Sequence, residues 1–206
     1  MKRFFALILF FMIALTSVSC SDSTDHPKFL TKEGIEPYEL SESEKYILQS
    51  LGLDYNTQII SFHAPKEAIT LNVNVYRLGE DKKWCNIGGG ATSIGRDKVP
   101  VEQLVGTFTM QLKENHAIVF NINASGRASY KTEEIILDSK TMQSMKCFLQ
   151  EFQKVEMNKE IPVALMVYDS GTSMSGYSLQ DYFDPSVFDG MDFVQVVTLT
   201  FTDKDL

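Results

Sequence analysis

Four aspartates, Asp181, Asp184, Asp189 and Asp192, crowd the segment SLQDYFDPSVFDGMD and make it the most acidic loop of the chain. Calcium takes oxygen ligands from loops of this kind, which makes the four weak metal candidates. Their spacing is not that of an EF-hand. Asp189-Gly190 is an ordinary turn signal, and Asp184 before Pro185 suits the cap of a helical turn. A pair of carboxylates held about 5–9 Å apart would hydrolyse a glycosidic bond. That is the chemistry behind one alternative, a hydrolase outside the cytoplasm using acidic residues, but no residue is singled out as catalytic.

Other groupings fit known chemistries less well. Gly171-Thr172-Ser173-Met174-Ser175-Gly176 looks at first like a nucleophile elbow. The second glycine is displaced by Ser175, and no histidine follows His116, so the required order of acid and base is missing. Gly88-Gly89-Gly90, followed by Arg96 and Lys98, lacks the Lys-Ser/Thr signature and the helix that a phosphate loop needs. Glycines in such a run mark a bulge or a close backbone approach. His26, His63 and His116 have no mutual spacing that would build a metal site or triad. No cofactor is implied by any of these patterns.

The aromatics are the remaining chemical handle. Tyr76 and Trp84 flank one hairpin turn, while Tyr130, Tyr168, Tyr177 and Tyr182 fall on strands or on the Ser-rich loop. Exposed on a sheet, Trp84, Tyr76, Tyr177 and Tyr182 would form a platform for sugar rings or a protein partner. Buried, they would simply fill the core or cover a turn.

The N-terminus carries an address. Met1-Lys2-Arg3 supplies two positive charges, and Phe4 to Leu15 follows without a polar residue, the order of a secretory signal. The run gives way to Thr16-Ser17 before reaching the roughly 20 apolar residues that a permanent span needs. Thr16-Ser17-Val18-Ser19-Cys20 resembles the lipobox of bacterial lipoproteins, with Ser17 standing where that family most often has Leu. The resemblance implies that residues 1–20 are a signal peptide, that Cys20 is diacylated, palmitate being a typical chain, and that the mature protein is anchored to the cell membrane on its extracytoplasmic face. Ser17-Val18-Ser19 also satisfies ordinary signal cleavage, whose product would be secreted. Beyond residue 20 the chain resembles only bacterial lipoprotein domains without an assigned activity.

Without Lys2 and Arg3 the chain keeps 17 basic and 27 acidic residues, a net charge of −10. Such a charge repels nucleic acid and anionic headgroups. Cys85 and Cys147 are left as an even pair in a compartment that permits disulfides. A helical stripe of Met142, Met145, Leu149 and Phe152 would turn Cys147 away from that stripe, which argues against a bridge.

The elements that must position these residues are mostly strands. Residues 21–40, polar and broken by Pro27, Gly34 and Pro37, read as a flexible tether. Residues 41–206 read as a β-rich globular domain. Ser41 and Glu44 form a capping box, Gly52 suits a C′ position, and Ile47, Leu48 and Leu51 share one face, so a short helix is expected between them. Beyond residue 58 the apolar period becomes two. Ile69, Leu71, Val73 and Val75 define one strand, and the Gly79–Lys82 turn leads to another from Trp84 to Ile94. Phe108, Met110 and Leu112 face Ile118, Phe120 and Ile122 across a Glu114-Asn115 corner. Further strands are expected at Ser129–Leu137, Pro162–Asp169 and Asp192–Thr202. A helix is expected over Thr141–Gln153, with a strand from Phe152 to Met157 as its alternative. One-sided apolar strands joined by short turns predict a mainly β, two-layer antiparallel β-sandwich with one or two short helices, or failing that an open barrel. The functional expectation is a non-enzymatic binding or envelope-accessory domain, held to the membrane by its lipid and meeting an envelope or extracellular partner.

Overall fold

The computed structural model describes residues 30–95, 103–124, 126–137, 143–171 and 174–206. Hydrogen bonding sorts the strands among them into two antiparallel sheets of five. One sheet runs β1 (Gly34–Pro37), β2 (Thr57–His63), β5 (Val105–Leu112), β6 (Ile118–Asn123) and β7 (Arg127–Lys131). The other runs β4 (Trp84–Ser93), β3 (Thr70–Leu78), β10 (Phe193–Thr202), β9 (Ile161–Asp169) and β8 (Gln143–Phe148). The protein is a two-layer β-sandwich with one α-helix, α1 (Glu42–Ser50), and two short 3₁₀ turns among the described residues.

Alternation along the strands builds the core. Val75, Val73 and Leu71 of β3 pair with Val197, Leu199 and Phe201 of β10. They share one buried cluster with Phe108 and Met110 of β5 and with Ile118, Phe120 and Ile122 of β6. The Phe62 and Phe201 rings, with centroids 5.9 Å apart, join the two layers. Each large apolar side chain removed from water in this way is worth about 1.5–3 kcal/mol.

A third layer covers one sheet from outside. Between β9 and β10 the chain crosses the outer face through 3₁₀ turns at Leu179–Phe183 and Pro185–Phe188. There Tyr182 and Phe188 pack on Leu165 and Val167 of β9 and on Val194 and Val196 of β10. The two central strands are therefore buried on both faces, which accounts for the unbroken apolar run Val163–Val167. Thr198 and Thr202, which alternate with the core residues Val197, Leu199 and Phe201 along β10, are buried as well.

The glycine run in β4 has a steric cause. A Cβ on Gly90 would lie 2.5 Å from the Tyr130 ring, and one on Gly88 would lie 3.0 Å from Thr132. The Tyr130 hydroxyl donates to the Ala91 carbonyl at 2.7 Å, joining β7 of one sheet to β4 of the other. The register also slips between Val75 and Tyr76, where β4 carries an extra residue. Bulge and close approach are both present.

Two sequence expectations are corrected. Thr141–Gln153 is not helical over its described part: Gln143–Phe148 forms β8, paired with Asp169–Ala164 of β9. The apolar spacing is compatible with a helix, but the open edge of β9 takes this segment as a strand; Met142 lies outside the described residues. The alternative strand is not formed either, since Gln153 makes one isolated bridge to Ile35. Part of the segment 21–40, expected as a tether, is folded. Residues 34–37 form β1 and Ile35 is fully buried, because Phe152 and Gln153 close over Gly34 and leave no room for a side chain there. The helix α1 has its capping box, with the Ser41 N–H donating to Glu44 Oε2 at 2.7 Å. Its apolar face is nevertheless uncovered, with Ile47 and Leu51 more than half exposed. Among the described residues, no helix is long and apolar enough to cross a membrane.

Candidate functional site

The third layer creates the most developed site. Glu160 immediately precedes β9, and its carboxylate turns onto the outer face of the sheet, where β10 and β3 present Thr198, Asn74 and Tyr76. Thr198 and Asn74 are register partners, so their side chains emerge together. Glu160 Oε1 accepts from the Tyr76 hydroxyl at 2.5 Å, from Thr198 Oγ1 at 3.2 Å and from Asn74 Nδ2 at 3.4 Å. Its Oε2 accepts from the Tyr182 hydroxyl. Two strands and the crossing segment are thus pinned to one half-buried carboxylate, by bonds of the stronger charge-assisted kind.

Aromatic rings surround this pin. Tyr182 lies between Trp84, with centroids 5.3 Å apart, and Phe183, at 5.1 Å and nearly edge-on. Trp84 Nε1 donates to the Tyr182 carbonyl at 2.9 Å and so fixes the indole. Phe188 supports Trp84 from beneath at 6.1 Å. Trp84, Lys159, Glu160, Tyr182, Phe183 and Pro185 line an open cavity of about 470 Å³. A neighbouring hollow of about 300 Å³ shares Lys159, Glu160 and Phe183 and lengthens it into a groove. The size is that of small-ligand sites. Burial, followed by the bond to Glu160 and then its charge, pushes the Tyr76 hydroxyl up to about 12. The same causes in the same order raise Tyr182. Both therefore remain protonated donors at neutral pH.

Of the four aromatics expected to form a platform, Tyr76, Trp84 and Tyr182 meet here. Much of their surface is spent on one another and on the sheet, so they act as a small satellite core with one open side. Tyr177 joins the same layer from the far side of Phe188, at 5.1 Å. It borders a further cavity of about 490 Å³ beside β8, which meets the second hollow at Gln153 and Gln180, and its carbonyl accepts from Cys147 Sγ at 3.0 Å. Tyr130 closes the β4–β7 seam, and Tyr168 packs inward against His116 at 4.8 Å.

The acidic loop is dispersed. Asp181 accepts from the Ser178 N–H at 2.7 Å, and Asp184 caps the second 3₁₀ turn through the Ser186 N–H and hydroxyl. Asp189 pairs with Lys82 at 2.6 Å. Asp192 accepts from the Ser170 N–H at 2.6 Å, and hydrogen bonding by Ser170 holds its carboxyl below the usual range. Each thus serves a local turn, cap or ion pair. No group of three or more His, Cys, Asp or Glu able to hold a metal is gathered among the described residues.

Cys85 and Cys147 are both free. They sit on β4 and β8, opposite edges of one five-stranded sheet, about 19 Å apart at the usual strand spacing. His63 Nδ1 lies 2.9 Å from the Leu30 carbonyl, and His116 Nδ1 lies 3.1 Å from that of Ile135. Cys20, His26, Arg96, Lys98, Thr172 and Ser173 lie outside the described residues. The sequence reasoning missed Glu160, Lys159 and Phe183. The one available signal was Phe183, an apolar residue next to Tyr182 in a short polar loop.

Compared with protein-family models, curated proteins and solved structures, the chain matches none. What stands is the class that the geometry defines: an antiparallel β-sandwich with an external aromatic layer and a groove at its rim.

Proposed function

We propose that this protein is a lipid-anchored domain on the extracytoplasmic face of the membrane, acting by binding and not by catalysis, with the groove around Glu160 as its contact face. The observation that carries this reading is Phe183. This residue is 60% exposed at the mouth of a cavity whose other aromatic walls, Trp84 and Tyr182, are fixed by the hydrogen bonds they donate. A large apolar ring held in water beside a pre-formed cavity is a feature of recognition surfaces. Engagement of the four carboxylates between Asp181 and Asp192 in turns, a cap and an ion pair supports binding over acid-base hydrolysis. The anchor rests on the lipobox at Cys20, since two acyl chains hold a soluble domain at about 0.8 kcal/mol per buried methylene.

Two measurements test the parts separately. Labelling with a fatty-acid analogue is expected in the wild type and lost in Cys20→Ser; equal labelling, or none in either, removes the anchor. Capture of an envelope component by the wild type is expected to fall in Trp84→Ala and Phe183→Ala. Phe183→Ala is the cleaner of the two, because its ring supports little else. Unchanged capture by both removes the groove as the contact face.

A further inference from the structure

Resting on that groove as the binding face, we propose that it takes an alkylated ammonium group, a positively charged nitrogen carrying methyl groups such as that of choline. Glu160 is half-buried, and its four hydrogen-bond partners, Tyr76, Tyr182, Asn74 and Thr198, are all neutral. They orient the carboxylate without cancelling its charge. Lys159 borders the same cavity, but its exposed ammonium is drawn toward Glu156, 2.5 Å away, and not toward Glu160.

At its aromatic end the groove has few donors left for a ligand; Gln153, Lys154 and Gln180 line the hollow at the other end. The Tyr76 and Tyr182 hydroxyls donate to Glu160, and Trp84 Nε1 donates to the Tyr182 carbonyl. A sugar is selected by directed hydrogen bonds to its hydroxyls, and the donors of the aromatic walls that would provide them are committed internally. What the cavity still presents is the exposed Phe183 ring and the half-buried Trp84 beside a fixed negative charge, with Tyr182 largely buried behind them. A quaternary ammonium requires that combination: it has no N–H to donate, and it is held by Coulomb attraction and the ring quadrupoles. The group could arrive as a free solute or as part of a headgroup, and the same chemistry would recognise it in either form.

Trp84 is the only tryptophan of the chain, so its emission reports on the groove directly. The full chain, in a non-ionic detergent, is titrated with choline, with glycerophosphocholine, and with the neutral isostere of choline that carries a tert-butyl group in place of trimethylammonium. A saturable change in Trp84 emission is expected with a choline compound, and the isostere is expected to bind about tenfold more weakly or worse. The tighter of the two choline compounds identifies the source. Glu160→Gln is expected to weaken choline binding about tenfold, the equivalent of ~1.4 kcal/mol. Phe183→Ala is expected to weaken it while leaving the circular dichroism unchanged. Equal response to choline and its isostere overturns the proposal, as does undiminished affinity in a folded Glu160→Gln. Should Glu160→Gln not fold, undiminished affinity in Phe183→Ala overturns it. The underlying reading fails differently. Envelope capture that depends on Phe183 but is not competed by choline removes the ammonium class alone, whereas capture independent of Phe183 removes the binding face.

Discussion

Replacing Tyr182 by Phe removes one oxygen from the centre of the outer layer and nothing else. The ring keeps its place beside Trp84 and Phe183, so little apolar burial is lost. What disappears is a hydrogen bond to a charged acceptor, worth about 1.5–3 kcal/mol net. Glu160 retains Tyr76, Thr198 and Asn74 as donors and is not left orphaned, which places the expected loss near ~2 kcal/mol. With a urea dependence of about 1–3 kcal/mol per molar, the unfolding midpoint falls by about 1 M. Trp84 emission follows the outer layer and far-ultraviolet circular dichroism follows the sheets, so recording both shows whether the layer opens with the sandwich or before it. A double-mutant cycle with Glu160→Gln isolates the pair, with an expected coupling of about 1 kcal/mol. A midpoint unchanged in Tyr182→Phe, or strict additivity in the cycle, would refute the idea that Glu160 pins the layer.

Other expectations follow from the same geometry. The Tyr76 hydroxyl ordinarily titrates at 10.0 and is pushed up to about 12 in the fold, so its neutral form favours the folded state. That contribution is complete below pH 10.0 and lost as pH rises toward about 12. Tyrosinate absorbance and Trp84 emission are expected to change together in that window; ionisation of Tyr76 near 10.0 would contradict the account. Gly90→Ala drives a Cβ to 2.5 Å from the Tyr130 ring and is expected to cost about 1–3 kcal/mol, read from thermal unfolding. An unaffected melting temperature would show that the β4–β7 seam is not tight. Cys85 is exposed, whereas burial and, after it, the charge of Asp181 raise the Cys147 thiol. Alkylation at mildly alkaline pH is expected to modify Cys85 first, with mass spectrometry finding no bridge between them; a reversed order would place Cys147 in a different environment.

Much of the sandwich was legible because one-sided burial writes a period of two into the chain. The β5–β6 hairpin reads directly from Phe108, Met110 and Leu112 against Ile118, Phe120 and Ile122. Local signals with short-range causes were equally clear, including the Ser41–Glu44 box and the cap at Asp184. Elements decided at long range were not. The strand β8 exists because β9 offers an edge, and β1 because Phe152 and Gln153 close over Gly34 and Ile35. The aromatic cluster was visible as a list of residues, but its centre was not. Glu160 is one acid among many in the sequence, and only the register of Thr198 with Asn74 and the return of Tyr182 across the sheet bring four donors to it. Nothing local encodes that convergence.

On the proposed function, the open side of the aromatic layer is where this protein meets its partner. The most direct test replaces Phe183 with a photo-crosslinking phenylalanine in the full-length protein within intact cells and compares it with the same replacement at Ile136, which is 89% exposed outside the groove. A discrete adduct at position 183 that is absent at position 136 is the expected result. The same products at both positions, or none at position 183, would contradict it.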